Sequence, residues 1–271
     1  MKPTHALRIA IAVSALALSA CATSTKSGAV GADRAQLLTV PASEVDALAL
    51  AGYTEQNQKA RSAGRLVVKG VELDRLNRIA ARLQAKVPVF RNDAASWKWQ
   101  LVLIDAPVVN ATCAPGGKIT FYTGLLRQLK LTDDEAAMIM GHEIAHALRE
   151  HGRERLSQAK AQSTVSSLAS AIGKSSAQVS AANQFAHYLF VLPNSRQHES
   201  EADAMGLELG ARAGYDPRAA ISVWEKMSAL SAGKQPAEFT STHPSNSTRI
   251  LDIKAMLPKV MPLHAAAVKG A

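Results

Sequence analysis

Two histidines and a glutamate lie within one short stretch of the chain, His142-Glu143-Ile144-Ala145-His146. In a helix, residues four apart lie on the same face, so both imidazoles can bind one metal ion. This HExxH spacing is typical of catalytic zinc sites, in which the glutamate acts as the general base. The alternative is a pair of histidines on a solvated helix face, and the flanking residues must distinguish the two.

The residues around this motif predict a buried helix. Thr132 and Glu135 have the spacing of a capping box, which marks a helix start. The run Ala136–Leu148 is then apolar nearly all round, as in a helix inside a core. Burying three ionisable side chains there is costly unless something compensates for them, and a metal ion would do so.

A catalytic zinc usually takes three protein ligands, so a third has to come from elsewhere. An extended HExxHxxGxxH motif is excluded, because the chain has Arg149 and Gly152 where that motif needs glycine and histidine. His151 lies nine residues after His142, roughly 180° around the same helix, and is not expected to reach the ion.

A second helix, near residues 196–213, offers the missing carboxylate. Glu199 and Asp203 are four residues apart, so Glu199 can bind the metal while Asp203 accepts a hydrogen bond from a ligating imidazole. Glu201 points away from that face. Two alternatives stay open, namely an acidic, solvated helix start and His198 as a rival ligand.

The rest of the chain is predicted as α+β and mostly helical, with a small sheet beside the HExxH helix. The strand Lys118–Tyr122 follows a glycine-rich turn and leads towards that helix. Further helices are predicted over 43–61, 71–83, the Ala/Ser/Gln-rich segment 157–180, 196–213 and the residues after Asp216-Pro217, and further strands over 99–104 and 108–109.

The first twenty residues read as a secretory signal. Lys2 and Arg8 precede an apolar run, Ile9–Ala20, that is too short to span a bilayer. The ending Leu18-Ser19-Ala20-Cys21 resembles a bacterial lipobox, in which the cysteine carries lipid. The alternative is an ordinary small-residue cleavage site with Cys21 incidental.

The lipobox interpretation gives three segments, a lipoprotein signal peptide over 1–20, a flexible tether over 21–42 and one domain over 43–271. Ala22 after the cysteine favours sorting to the outer membrane of a Gram-negative bacterium, on its periplasmic side. We find no second apolar span in the sequence.

The formal net charge does not identify a binding partner. The formal net charge is +9, and loss of Lys2 and Arg8 with the signal lowers it by two, to +7. Such an excess can favour anionic lipid or acidic unfolded segments. With 4% aromatic residues and no basic-aromatic pattern, we expect no nucleic-acid partner.

Five segments of the chain resemble the gluzincin metallopeptidase family of the HtpX protease, the CAAX prenyl protease and the periplasmic peptidase BepA. The segments are Asn110-Ala111 with Ala114-Pro115-Gly116-Gly117-Lys118-Ile119, Thr123-Gly124-Leu125-Leu126, His142-Glu143 with His146, Ser195-Arg196 with His198-Glu199 and Glu201-Ala202-Asp203, and Thr242-His243-Pro244-Ser245 with Arg249-Ile250. HtpX carries membrane spans that this chain lacks, and Thr112 stands where an aromatic residue is often found.

The resemblance implies a zincin-like domain with one Zn²⁺ per chain. It implies that His142, His146 and Glu199 bind the metal and that Glu143 activates water. It also implies that His243 approaches the metal, as a transition-state donor or as a fourth ligand that closes the site. Arg249 could stabilise an oxyanion or form a helix-end salt bridge.

These expectations combine into a zinc-dependent endopeptidase acting on unfolded or misassembled envelope proteins. The substrate would pair as an added strand along Gly117, Lys118, Ile119, Thr120 and Phe121. One alternative is a lipid-anchored assembly factor or chaperone whose metal site is structural or closed. A weaker one is a structural lipoprotein with an accidental HExxH.

Overall fold

The computed structural model describes residues 21–170, 194–231, 238–243 and 247–270. The expected signal peptide, residues 1–20, and the later part of the 157–180 segment lie outside the described residues. The helix expected in that segment is present up to Ser170. Among the helices that are described, none is long and apolar enough to span a bilayer.

The described residues form nine α-helices, two short 3₁₀ helices (Val87–Val89 and Asp93–Ser96) and six short strands, so the α+β, mostly helical class is confirmed. The helices are α1 Ala42–Ser62, α2 Val71–Gln84, α3 Thr123–Gln128, α4 Asp133–Leu148, α5 His151–Ser170, α6 Arg196–Arg212, α7 Ala219–Ser231, α8 Glu238–Thr242 and α9 Ser247–Lys269. The strands are β1 Cys21–Ala22, β2 Gln36–Leu37, β3 Leu66–Val67, β4 Gln100–Ile104, β5 Ala111–Ala114 and β6 Lys118–Tyr122.

The main sheet has the strand order β3-β4-β6-β5. Strand β6 runs parallel to β4, with Leu103 opposite Phe121, and antiparallel to β5, with Ala111 opposite the same Phe121. Ile119 and Phe121 are fully buried in the core. The strand expected over 108–109 was wrong, because pairing begins only at Ala111.

Helix α4 carries the HExxH motif and starts at the predicted capping box. The Thr132 hydroxyl accepts from the Glu135 amide at 3.2 Å, and the Thr132 amide donates to the Glu135 carboxylate at 2.8 Å. Every residue from Glu135 to Leu148 is buried. The buried helix predicted from the apolar run is therefore confirmed.

Helices α4 and α6 pack closely because glycines meet at their contact. A Cβ atom on Gly206 would lie 2.7 Å from the His142 amide nitrogen, and one on Gly141 would lie 2.9 Å from the Gly206 carbonyl oxygen. No larger residue fits this approach without moving the backbones apart. The contact brings the HExxH motif next to the carboxylates of α6.

The chain changes direction directly after α4. Glu150 adopts a left-handed φ of 52°, and helix α5 starts anew at His151. The periodicity of α4 therefore does not apply to His151. The expected position of His151, on the far side of one continuous helix, was wrong for this reason.

The segment Thr23–Val40, here called the N-terminal strap, packs on the domain. Strand β2 lies within it and pairs with β1 just before it, and Thr25, Gln36 and Val40 are buried. Arg153 of α5 donates to the carbonyl oxygens of Leu38 and Val40 at 3.2 and 2.6 Å. The flexible tether expected over 21–42 is thus corrected for this stretch, because its polar groups bind the domain.

Candidate metal centre

Four side chains from three parts of the chain converge next to the α4–α6 contact. Ligand atoms of His142, His146, Glu199 and His243 all lie within 4.8 Å of one another. The Nε2 atoms of His142 and His146 are 3.0 Å apart, and each lies 3.4 Å from an oxygen of Glu199. The structure therefore brings together the side chains that the sequence singled out.

These separations fit a zinc ion. Zinc ligands at about 2.0–2.1 Å in a tetrahedron lie about 3.3 Å from one another. The three distances among His142, His146 and Glu199 are close to that value, and two imidazoles with one carboxylate form a common catalytic donor set. His243 Nδ1 lies 3.3 Å from His142 Nε2 and 3.1 Å from Glu199 Oε1, which is the spacing of a fourth ligand.

His142 is held from behind by the carboxylate expected to do so. Its Nδ1 lies 2.9 Å from Asp203 Oδ1. Burial disfavours the charged imidazole, but hydrogen bonds to Asp203 and Glu199 outweigh it and raise the pKa of His142 to about 9. This environment favours a cation at His142 Nε2.

Glu143 differs from the other acids of the cluster. Its side chain is buried, and its Oε1 has no hydrogen-bond partner within the described part of the chain. Burial raises the pKa of Glu143, although the nearby His243 and His142 oppose the shift. A buried carboxylate oxygen that makes no hydrogen bond and lies 3.4 Å from His243 Nε2 suits a group that takes up a proton from water.

Arg249 is engaged by carboxylates. Its guanidinium donates to both oxygens of Asp203 at 2.8 and 2.7 Å and lies 2.7 Å from Glu199 Oε2. It also lies over the Trp224 ring at 3.9 Å. Of the two roles left open for Arg249, the geometry shows the ion pair, and this pair orients the two acids.

The expected substrate strand needs correction. Strand β6, with Gly117 before it, lies inside the sheet, and its main chain pairs with β4 and β5 on its two sides. It therefore offers no free edge. The edge nearest the metal centre belongs to β5, whose residues line a cleft of about 550 Å³ together with Glu143, His146 and His243.

Two side chains were missed as part of the site. His151 Nδ1 lies 2.8 Å from His146 Nδ1, and Glu201 Oε2 lies 2.9 Å from His151 Nε2. Glu201 does point away from the metal, as expected, but towards His151. His198, the rival ligand, stacks on His151 and lies 3.2 Å from Glu154, outside the ligand cluster.

The sequence model of peptidase family M48 matches residues 73–257. The chain belongs to peptidase family M48. Peptidases of this family use zinc, in agreement with the four-residue cluster. The expected family and the expected cofactor are therefore confirmed.

Three M48 relatives illustrate the range of similarity. The chain is 38% identical over 168 residues to the mitochondrial metalloendopeptidase OMA1 of Schizosaccharomyces pombe, covering 60% of this chain and 48% of the relative. It is 28% identical over 148 residues to the metalloprotease LoiP of Escherichia coli, covering 54% and 58%. It is 28% identical over 167 residues to a putative beta-barrel assembly-enhancing protease of Vibrio cholerae, covering 58% and 34%. The chain thus spans about half or less of the length of most of these relatives.

Proposed function

We propose that this chain is a zinc-dependent endopeptidase that cleaves unfolded or misassembled proteins of the cell envelope. The proposal depends most on one observation, the buried Glu143 carboxylate beside three converging ligands, whose Oε1 makes no hydrogen bond among the described residues and lies 3.4 Å from His243 Nε2. A purely structural metal site would need the ligands but not this additional buried acid, whose Oε1 makes no hydrogen bond among the described residues.

Each polar group then has a chemical task. His142, His146 and Glu199 would hold a zinc ion, which would act as a Lewis acid and lower the pKa of water towards about 7. Glu143 accepts the proton of the attacking water and delivers it to the leaving amine. Asp203 keeps the His142 ring oriented, and Arg249 keeps Asp203 and Glu199 in place.

The edge of β5 is the proposed place for the substrate backbone. The Tyr122 amide donates to the Asn110 carbonyl oxygen, so Ala111 and Cys113 direct their main-chain groups away from β6. The Ala111 amide already donates to Asn110 Oδ1 at 2.9 Å, so an extended peptide would pair with the Ala111 carbonyl oxygen and the Cys113 main chain and cross the cleft in front of Glu143. Pairing through the main chain selects for unfolded segments more than for a particular side chain.

The envelope location has separate support. The N-terminal residues resemble a lipoprotein signal that ends at Cys21. One relative bears on it by name, the putative beta-barrel assembly-enhancing protease of Vibrio cholerae. We place the protein on the periplasmic side of the outer membrane of a Gram-negative bacterium, anchored by lipid on Cys21.

The Glu143→Gln variant tests the catalytic role. The amide keeps the size of the side chain but cannot take up a proton, so we expect zinc to stay bound at one ion per chain. Cleavage of a quenched casein-type substrate should fall by about 100-fold or more. Zinc content is measured by metal analysis and cleavage by fluorescence.

Glu135→Gln is the matched control, because Glu135 lies on the same helix but bonds Thr132, Ser222 and Lys226. It should cleave at the wild-type rate. A Glu143→Gln protein that binds zinc and cleaves as fast as wild type would refute the proposed mechanism.

The position of His243 favours a second candidate. Its Nδ1 has the spacing of a fourth ligand, and its ring stacks on Phe239 at 4.5 Å. A site closed in this way fits an assembly factor or chaperone whose zinc is latent. Full rescue of an envelope defect by the Glu143→Gln gene would support this candidate, and failure of rescue would support the endopeptidase.

A further inference from the structure

We infer that His151 is a positioning residue for the metal ligand His146, and that the N-terminal strap holds His151 in place through Glu201. The inference rests on the zinc site of the proposed function. It assigns roles to residues other than the proposed ligands, Glu143 and Asp203.

The first link joins the two histidines. His146 Nδ1 and His151 Nδ1 are 2.8 Å apart, so one of them must donate a proton to the other. Both rings are buried. The direction of this hydrogen bond decides whether His146 Nε2 presents a lone pair to the metal.

The second link decides that direction. His151 Nε2 lies 2.9 Å from Glu201 Oε2, and a carboxylate accepts hydrogen bonds, so His151 Nε2 carries the proton. In a neutral imidazole the nitrogen without the proton is an acceptor. His151 Nδ1 therefore accepts, His146 Nδ1 donates, and His146 Nε2 is free to bind zinc.

Glu201 is itself fixed by two arginines. Arg34 donates to Glu201 Oε1 from Nε at 2.9 Å and to Oε2 from Nη2 at 3.2 Å. Arg149 donates to Glu201 Oε1 at 3.1 Å and is fully buried. This fork-like pairing gives the carboxylate a defined orientation and not only a favourable charge.

The strap supplies the outer end of the chain of contacts. Arg34 lies 167 residues before Glu201 in the sequence and also binds both oxygens of Glu154. Arg149 in turn donates to the hydroxyls of Thr23 and Thr25 and to the Arg34 carbonyl oxygen. The N-terminal strap is thus part of the support of His146.

The test compares zinc affinities of the full chain carrying His151→Gln or His151→Asn, by competition with a fluorescent chelator. An Asn amide oxygen can take the place of Nδ1 and still accept from His146, whereas a Gln amide reaches the place of Nε2. We expect the Gln variant to bind zinc about 10- to 100-fold more weakly and the Asn variant to stay within a few-fold of wild type.

The strap is tested with a matched pair of arginines. Arg34→Ala removes the bonds to Glu201, whereas Arg153→Ala removes bonds to the strap without touching Glu201. Arg34→Ala should weaken zinc binding several-fold, and Arg153→Ala should not. Equal zinc affinities in the two variants would overturn the role of the strap.

The outcomes separate the two proposals. A wild-type chain that binds no zinc would overturn the proposed function itself. A wild-type chain that binds zinc, with Gln and Asn variants of equal affinity, would overturn only the role of His151. Should His151→Gln fail to fold in a thermal melt, Glu201→Gln serves instead, and it supports the inference only if zinc binding weakens while His151→Asn binds normally.

Discussion

The two histidine ligands are held by different parts of the chain. His142 is backed by Asp203, a residue of the same acidic motif that supplies Glu199, and Arg249 of α9 binds both acids. His146 is backed by another histidine, then by Glu201, and then by the N-terminal strap. The support of His142 therefore comes from α6 and α9, whereas the support of His146 extends through α5 and α6 to the N-terminal strap.

This difference bears on how the site is assembled. The His142 side needs only α4, α6 and α9, which all belong to the matched family region except for the end of α9. The His146 side needs α5 and the strap, and the strap lies before residue 73, where the family match begins. A segment outside the family domain can therefore affect the metal centre.

The largest effect should come from separating α4 and α6, because this breaks both supports together. In Gly206→Ala the new methyl group meets the backbone of His142, which cannot rotate away. We expect a loss of about 1–3 kcal/mol in the free energy of unfolding, and zinc binding weakened by more than about 100-fold. Chemical denaturation and chelator competition measure the two effects.

Gly210→Ala is the matched control on the same helix. Its added methyl group meets the end of the flexible Met138 side chain, which can move. Zinc affinity should stay at the wild-type value. If Gly206→Ala also binds zinc normally, close backbone packing is not what aligns the ligands.

The residue that supports His142 was predicted from the sequence, and the residue that supports His146 was not. Glu199 and Asp203 follow helical spacing, so their shared face could be read from the sequence. The position of His151 could not be predicted in this way, because the chain turns at Glu150, which has a left-handed φ. No local sequence pattern predicts this turn at the end of α4. A non-glycine residue in this conformation is rare, so continuing the helix was the natural prediction.

The sheet shows the same limit. Strand β6 was predicted with its observed bounds, since alternation and the glycine turn define it locally. Its place between β4 and β5 depends on pairing between segments that are distant in the sequence. Local sequence patterns do not predict such pairing. The prediction of β6 as the substrate strand was therefore wrong, because both of its sides are paired. The contacts of the strap are long-range in the same way.

A double variant should show whether the two supports act independently. Asp203→Asn and His151→Gln should each weaken zinc binding by about 10- to 100-fold. Among the described residues, Asp203 bonds His142 and Arg249 whereas His151 bonds His146 and Glu201, so the double variant should show about the product of the two losses. Chelator competition on all four proteins measures this.

A double variant no weaker than the poorer single variant would contradict independence. It would mean that loss of either support already releases both histidines. Asp203→Asn should also lower the free energy of unfolding more than His151→Gln, because it leaves the buried Arg249 with less compensating charge. Denaturation of the zinc-free proteins distinguishes this effect from metal binding.

The smallest expected effect comes from changing Glu154, which binds Arg34 of the N-terminal strap. Burial raises the pKa of Glu154, but hydrogen bonds from Arg34, His198 and Gln36 outweigh it and hold that pKa well below its usual value. A depressed pKa stabilises the fold fully above the unfolded value of about 4.3, and this stabilisation is lost as pH falls towards the folded value.

Glu154→Gln should therefore lower the free energy of unfolding of the zinc-free protein by about 1–3 kcal/mol at pH 7. The difference from wild type should shrink as the pH falls below about 4. Urea denaturation at several pH values measures it. Glu55→Gln, in an exposed pair with Lys59, should follow the wild-type curve. A gap that stays constant with pH would show that the ionised Glu154 does not fasten the strap.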